Sequence, residues 1–273
     1  MPWAESQSPS FTARHEEADA GHVADLLDDL EAFREELSDL FEKTPGDIEV
    51  IVHPGPVALG LAQPWLPVAR MVAAPASRRY MAGWFSARSI HVLSPGALEE
   101  RASAVEGSRD ALMLSPLHEY AHLVIGANNT GLPPPFNPGS FRRYLRWAWL
   151  CEGAATQLAG QTPFMRAAVA RRLYEGDKPS FPPSARDAPL LGGTVLDMLE
   201  EEAGPRAVAA LTRGRLGGAA SVALERAFDR PLSEIERDWR ARLSSAGGGA
   251  RVRRRRGYLY EIDAPADEEG SGG

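Results

Sequence analysis

The stretch SPLHEYAHLVI, residues 115–125, places two histidines and a glutamate inside an apolar run. Apolar residues recur at helical spacing over 110–125, which predicts a helix that is buried on most of its surface. Residues four apart lie on the same face of a helix, so His118 and His122 project together. Such side chains are costly in a buried helix unless they are paired or bind a metal ion. Pro116 either opens this helix in its first turn or kinks a longer one.

The pentapeptide HEYAH, residues 118–122, suits zinc chemistry. Two imidazoles one turn apart can both reach one ion at about 2.0–2.1 Å, the usual zinc–nitrogen distance. Glu119 is offset around the helix, so its carboxylate can face a water molecule at the ion without ligating it. It can then take the proton of that water as a general base. The same spacing arises by accident in about one random sequence of this composition in a hundred, so the motif by itself only suggests zinc.

A catalytic zinc site of this type needs a third protein ligand and an open position for water. No histidine follows His122, so a carboxylate has to be the third ligand. Glu152, in the apolar segment WLCEGAA (residues 149–155), is the only acidic residue between Glu119 and Glu175. Taken alone, a carboxylate on an apolar helix is more often paired with an arginine. The histidine pair upstream favours a metal ligand.

The two motifs, H-E-x-x-H and W-L-x-E-G-x-A, resemble those of the gluzincin metallopeptidases, the thermolysin-like clan, and especially its short peptidase-MA-like bacterial members. The resemblance implies that His118, His122 and Glu152 bind Zn2+ and that Glu119 is the catalytic base. Less specific similarities extend over about residues 20–243. They are an opening helix and strand, an edge strand beside the site, and a terminal pair of helices.

The chain departs from the pattern of this clan in two places. Tyr120 stands where an aliphatic residue is usual, and Gln157 stands where the third-ligand helix often has a tyrosine. The clan also commonly uses a tyrosine or a histidine to stabilise the tetrahedral oxyanion. The candidates for that role in this sequence are Tyr80, His91, Tyr144 and Tyr174.

Apolar spacing and turn residues predict the rest of the fold. A helix is expected over 22–41, followed by strands over 47–52, 68–72, 81–85 and 89–93. After the 110–125 helix, further helices are expected over 144–159, 163–174, 190–203, 205–211, 222–228 and 232–243. The predicted architecture is α+β and zincin-like. It has an N-terminal helix and a small mixed sheet followed by a mainly helical lobe, with the metal between them.

The local composition divides the chain into three parts. Residues 1–20 mix serine, proline and acidic residues without apolar periodicity and are expected to be a flexible arm. Residues 21–243 form the predicted zincin-like metallopeptidase domain. Residues 244–273 run from a glycine-rich stretch through an arginine run to an acidic end, and are expected to be a disordered charged tail.

The overall composition excludes several classes of protein. The chain has 273 residues, 44% of them apolar and 25% charged, which is the balance of a globular protein. A net charge of -7 argues against nucleic-acid binding, because that binding depends on neutralising phosphates. The single cysteine, Cys151, allows neither an intramolecular disulfide nor a four-thiolate zinc site. No segment resembles a secretion signal or a membrane span, so a cytoplasmic protein with no membrane partner is expected.

The expected function is metal-dependent hydrolysis of a peptide or protein substrate. The strand over 89–93 is expected to hold the substrate backbone by strand addition. Two alternatives remain open. The same fold and ligands would serve a non-catalytic zinc-binding scaffold or regulatory protein, which the missing tyrosine favours modestly. The motif could also be an accident in a structural helical protein. The sequence makes no prediction of oligomeric state.

Overall fold

A computed structural model of the chain describes residues 2–214 and 216–245. Its five strands are β1 (Trp3–Gln7), β2 (Phe11–Glu16), β3 (Ile48–His53), β4 (Trp84–Phe85) and β5 (Ser89–Leu93). They form one sheet in the order β1-β2-β3-β5-β4. The two outer pairs are antiparallel and the two inner pairs are parallel, so the predicted small mixed sheet is confirmed.

Fourteen α-helices complete the part of the chain that the structure describes, and the predicted α+β class is confirmed. Helix α1 (Ala20–Ser38) joins β2 to β3. Between β3 and β4 lie α2 (Pro56–Ala62), α3 (Trp65–Val72) and α4 (Pro75–Arg78). After β5 come α5 (Pro95–Arg101), α6 (Ser108–Met113), α7 (Ser115–Asn128), α8 (Pro138–Arg146), α9 (Ala148–Leu158), α10 (Arg166–Glu175), α11 (Ala188–Ala203), α12 (Pro205–Arg213), α13 (Ala220–Phe228) and α14 (Leu232–Ser245).

The N-terminal segment departs most from the sequence prediction. Residues 3–16 form a hairpin and not a flexible arm, because β1 pairs with β2 and β2 pairs with β3. Phe11 and Ala13 are buried in the core, and His15 is buried with its Nε2 2.9 Å from the hydroxyl of Ser6. Alternate residues of β2 therefore face the core. The alternation is hard to recognise in the sequence because its third inward member is a histidine.

The segment between β3 and β4 is helical, although the sequence predicts a strand over 68–72. Proline explains the difference. Pro64 is the N-cap residue of α3 and Pro67 lies in its first turn, where the missing amide hydrogen costs nothing and the fixed φ favours a helix. Only β4 remains of the strand expected over 81–85. The strand expected at the edge, over 89–93, is β5, and it is an inner strand paired on both sides.

The helix predicted over 110–125 is two helices, α6 and α7, separated at Leu114. Pro116 lies in the first turn of α7, so it opens this helix and does not kink a longer one. The helix expected over 144–159 is also two helices, α8 and α9. The other predicted helices are confirmed, with ends that differ by a few residues.

Helix α7 lies at the centre of the molecule, between the sheet and α9. Tyr120 points away from α9 and is fully buried, with its ring edge-on to Phe11 at 5.2 Å and to Phe33 at 6.2 Å. Its hydroxyl donates a hydrogen bond of 2.8 Å to the carbonyl of Pro45. The residue that departs from the clan pattern is therefore a core residue, and it ties α7 to β2 and α1.

Helices α9 and α11 pack with their backbones in contact. A Cβ atom on Gly153 would lie 2.5 Å from the carbonyl carbon of Gly192, a distance that no side chain tolerates. Glycine at both positions lets the two helices approach this closely. The contact fixes the position of α9, and with it the position of Glu152 next to Gly153.

No helix in the ranges 2–214 and 216–245 is both long and apolar enough to cross a bilayer. The charged tail predicted over 244–273 lies outside the described residues, except for its first two residues, which end α14.

The substitution Phe11→Ala tests whether the N-terminal hairpin is part of the folded core. The ring is 1% exposed and contacts Tyr120, so we expect the free energy of unfolding to fall by about 3–5 kcal/mol, the usual cost of truncating a buried phenylalanine. Trp3→Ala is the matched control, because Trp3 is 57% exposed, and we expect it to change stability by about 0.5 kcal/mol or less. Chemical denaturation measures both. Equally small changes in stability in the two variants would contradict a hairpin packed in the core and would support a flexible N-terminal arm.

Candidate metal centre

Three side chains that the sequence predicts as metal ligands lie together between α7 and α9. The Nε2 atoms of His118 and His122 are 3.1 Å apart. The Oε2 atom of Glu152 lies 3.6 Å from His118 Nε2, and its Oε1 atom lies 3.5 Å from His122 Nε2. The ligand atoms of the group all lie within 4.8 Å of one another, and none of the three side chains is more than 14% exposed.

These distances fit a four-coordinate metal ion. Ligand atoms 2.0–2.1 Å from a tetrahedral centre lie about 3.3–3.4 Å from one another. The two imidazole nitrogens are 3.1 Å apart, and each lies 3.5–3.6 Å from a different oxygen of Glu152, so a small shift of this carboxylate would complete the geometry. Among the described residues, no arginine pairs with Glu152, so the salt bridge that a lone carboxylate would favour is not formed. The carboxylate instead contacts the two histidines and Tyr144. The buried group can therefore hold a metal ion.

Gln161 orients His118 for this role. The Gln161 amide donates a hydrogen bond of 2.7 Å from Nε2 to the carbonyl of Ala111, so its Oε1 must be the atom 2.8 Å from His118 Nδ1. An oxygen there can only accept, and Nδ1 therefore carries the hydrogen. In the neutral ring this leaves Nε2, the atom that faces Glu152 and His122, with its lone pair free for a metal.

The second histidine is held by a ring contact with the sheet. Phe85, in β4, stacks on His122 with ring centroids 4.3 Å apart and an angle of 18° between the planes. A flat contact of this kind restricts rotation of the imidazole about its side-chain bonds. The outermost strand of the sheet therefore supports the metal-binding face of α7.

The charge states of Glu152 and His122 suit metal binding. Burial would raise the pKa of Glu152, but the two histidines and the hydrogen bond from Tyr144 lower this pKa to about 2. Burial lowers the pKa of His122 to about 3. Burial also opposes a charge on His118, but the carboxylate of Glu152, 3.6 Å from its Nε2, raises its pKa. An ionised carboxylate and a neutral imidazole are the forms that ligate metals, so Glu152 and His122 are in the required form, whereas at His118 a metal ion would compete with a proton.

Glu119 lies at the same cleft but outside the group of ligand atoms. Its carboxylate packs directly on the backbone of Gly83, where a Cβ atom would lie 2.5 Å from Glu119 Oε1. The side chain is 6% exposed, and burial raises its pKa to about 8. The structure therefore separates the predicted base from the predicted ligands, as the sequence anticipates.

The cleft is narrow, with a cavity of about 30 Å³, which is room for one or two water molecules. Phe136, in the loop between α7 and α8, covers β4 beside the site. Its ring stacks on Trp84 at 5.2 Å and lies 5.0 Å from Phe85. A peptide can enter only after side chains of this wall move.

The four candidates for oxyanion stabilisation divide into two pairs. Tyr144 and Tyr80 line the cleft, and the Tyr144 hydroxyl donates a hydrogen bond of 2.5 Å to Glu152 Oε1. Tyr174 is 92% exposed. His91 does not line the cleft: its Nδ1 lies 3.0 Å from a nitrogen of His53, a strand neighbour.

Sequence reasoning missed Gln161, Gly83 and Phe136. The rule that a metal-ligating histidine donates its other ring N–H to a neighbour requires a residue such as Gln161. No spacing in the sequence identifies it, because it follows a turn at Gly160, 39 positions after His122. The roles of Gly83 and Phe136 depend on where loops pass the site.

Comparisons of the chain with models of protein families, with curated proteins and with solved structures find no match. The chemistry of the centre therefore has to be derived from the side chains that build it.

The substitution Gln161→Leu tests the orientation of His118. Without the acceptor at Nδ1, the ring loses its preferred tautomer, and we expect the affinity for Zn2+ to fall by about 10–100-fold. Gln157→Leu is the matched control, because Gln157 is also a buried glutamine but donates to Glu200. Competitive titration with a zinc chelator measures both affinities. Equal affinities in the two variants would contradict the role of Gln161.

Proposed function

We propose that this protein is a zinc-dependent metallopeptidase of the gluzincin type, with His118, His122 and Glu152 as ligands. The proposal rests on one observation. Two imidazoles and one carboxylate converge with their ligand atoms within 4.8 Å of one another, while a further buried carboxylate, that of Glu119, faces the same cleft. Two histidines and a glutamate are a ligand set of catalytic zinc, which leaves a position open for water or substrate.

Zinc bound in this cleft would polarise the scissile carbonyl and lower the pKa of the attacking water. The other steps belong to the chain itself. In its ionised form, which a nearby zinc ion would favour, the Glu119 carboxylate accepts a proton from the attacking water and later delivers it to the leaving nitrogen. The walls of the cleft, with Phe136 and Trp84, exclude bulk water around this carboxylate. Exclusion of water strengthens its electrostatic interactions.

Tyr144 is the better candidate for stabilising the oxyanion. Its hydroxyl lies within the cleft, where it donates to Glu152 Oε1. The same hydroxyl could donate instead to the oxyanion of a substrate. Tyr80 also lines the cleft, but its hydroxyl interacts with Ser108. The substrate backbone would bind along β4, since this strand, and not β5, lies at the edge of the sheet next to His122.

The variants Glu119→Gln and His118→Ala separate binding from chemistry. Glutamine keeps the shape of the side chain but cannot accept a proton, so we expect one equivalent of zinc and no cleavage of a peptide library. Loss of a ligand in His118→Ala is expected to abolish both. Elemental analysis and a chelator-controlled cleavage assay give the two readouts. Cleavage that survives in Glu119→Gln would overturn the assignment of the base.

The variant Tyr144→Phe tests the oxyanion donor. If the hydroxyl stabilises developing charge, its loss should lower kcat by about 10²–10³-fold with one zinc still bound. Tyr80→Phe removes the other hydroxyl in the cleft and is expected to leave kcat within a few fold. A larger loss in Tyr80→Phe would assign the donor role to Tyr80.

The narrow cleft favours one alternative, a zinc-binding scaffold or regulatory protein that does not turn over substrate. A cavity of about 30 Å³ admits no peptide as it stands. The variant Phe136→Ala removes part of the wall and distinguishes the two functions. A peptidase would cleave the peptide library faster after this change, whereas a scaffold would bind one zinc and cleave nothing in either form.

A further inference from the structure

Helices α2 and α3 carry an exposed surface made entirely of apolar side chains. Every exposed residue over 56–75 is apolar, and the only charged residue in this range is Arg70. Six of the exposed side chains are large, and we call them the apolar ridge: Val57 (77% exposed), Leu61 (81%), Trp65 (63%), Val68 (47%), Met71 (77%) and Val72 (54%). A protein rarely exposes a contiguous apolar surface of this kind unless the surface binds something.

The spacing of the ridge residues along the chain places them on one face of each helix. Val57 and Leu61 are four apart in α2, and Trp65 and Val68 are three apart in α3. The opposite faces of the two helices are buried through Leu59 and Leu66, which belong to a small core shared with α5 and α6. The ridge is therefore the outer face of helices that are already packed on their inner side.

Four arginines lie at the C-terminal end of the ridge. Arg78 donates to the carbonyls of Met71 and Ala73, at the end of α3. Arg101 donates to the carbonyls of residues 78 and 79, and Arg70 donates to the carbonyl of Met81. Arg79 completes the cluster. Within the described part of the chain, none of the four forms a salt bridge.

We propose that the apolar ridge and this arginine cluster dock the protein onto a bilayer surface that contains anionic phospholipid. The ridge would enter the boundary between headgroups and acyl chains, and Arg78 and Arg79, the two exposed members of the cluster, would contact lipid phosphates. Tryptophan at the middle of the ridge suits this boundary, because its ring is apolar and its N–H is polar. This docking would be peripheral, and it needs no helix that crosses the bilayer.

Charge decides between a bilayer and a second copy of the chain as the occupant. The protein carries a net charge of -7, but the ridge contains no acidic residue and is bordered by four cations. A second copy bound through the same face would offer these arginines no acidic partner on its ridge, because residues 56–75 contain no aspartate or glutamate. An apolar helical face bordered by arginine is the usual form of an interfacial anchor, and its binding scales with apolar area and with anionic lipid content.

Docking through this face would bring the metal centre near the membrane surface. Leu66 and Met81 line the metal cleft, and Leu66 lies on α3, the helix that carries Trp65 and Met71 of the ridge. The docking proposal does not depend on peptidase activity, since it concerns a separate surface with its own readout.

The test is flotation of the full chain with vesicles of phosphatidylcholine, with and without phosphatidylglycerol. We expect the wild type to float with the anionic vesicles and to dissociate from them as salt increases. The double variant Leu61→Ser/Met71→Ser should lose flotation. Its control, Tyr174→Ser/Val222→Ser, changes two exposed apolar residues elsewhere and should keep it. Circular dichroism establishes that each variant is folded.

The contribution of charge is tested at one exposed arginine. Arg79→Glu should weaken binding to anionic vesicles by about tenfold or more. Arg206→Glu, which changes an exposed arginine on α12, should weaken it much less.

Absence of flotation in the wild type overturns the proposal. So does equal binding with and without phosphatidylglycerol, or equal loss in the two serine variants. Light scattering that shows a dimer dissociated by Leu61→Ser/Met71→Ser, without vesicle binding, would assign the ridge to a second copy.

Discussion

The burial of one carboxylate among two imidazoles is the constraint on which the rest of this structure depends. Glu152 lies on α9 in an apolar environment, where an unpaired negative charge would be very costly. The two histidines of α7 and the hydroxyl of Tyr144 compensate for that cost. A divalent cation held between the same atoms would compensate for it more completely, which gives the site a physical reason to bind metal.

Several features away from the site keep this arrangement in place. The backbone contact between Gly153 and Gly192 holds α9 against α11, and the ring of Tyr120 holds α7 against β2 and α1. Gln161 and Phe85 then fix the two imidazoles individually. Gly153, which follows Glu152, is therefore a packing requirement. Its presence in the sequence motif has a structural cause that is independent of catalysis.

The sequence predicts the centre better than it predicts the sheet. The positions of His118, His122 and Glu152 follow from helical geometry and from the scarcity of carboxylates in one apolar stretch. The N-terminal hairpin escaped prediction because its inward residues include the buried His15, which has no apolar signature. Helices α2 and α3 escaped prediction because prolines usually indicate a break in a sequence, whereas here Pro56 and Pro64 lie at the starts of these two helices. Contacts such as Gln161 with His118 depend on tertiary packing and have no local signal.

The central claim is that His118, His122 and Glu152 bind one metal ion between α7 and α9. Anomalous diffraction from a crystal grown with zinc tests it most directly. The account predicts a single strong peak at the zinc edge, about 2.0–2.2 Å from both Nε2 atoms and from an oxygen of Glu152. A map without a peak between these side chains, or with zinc bound only elsewhere on the chain, would contradict it.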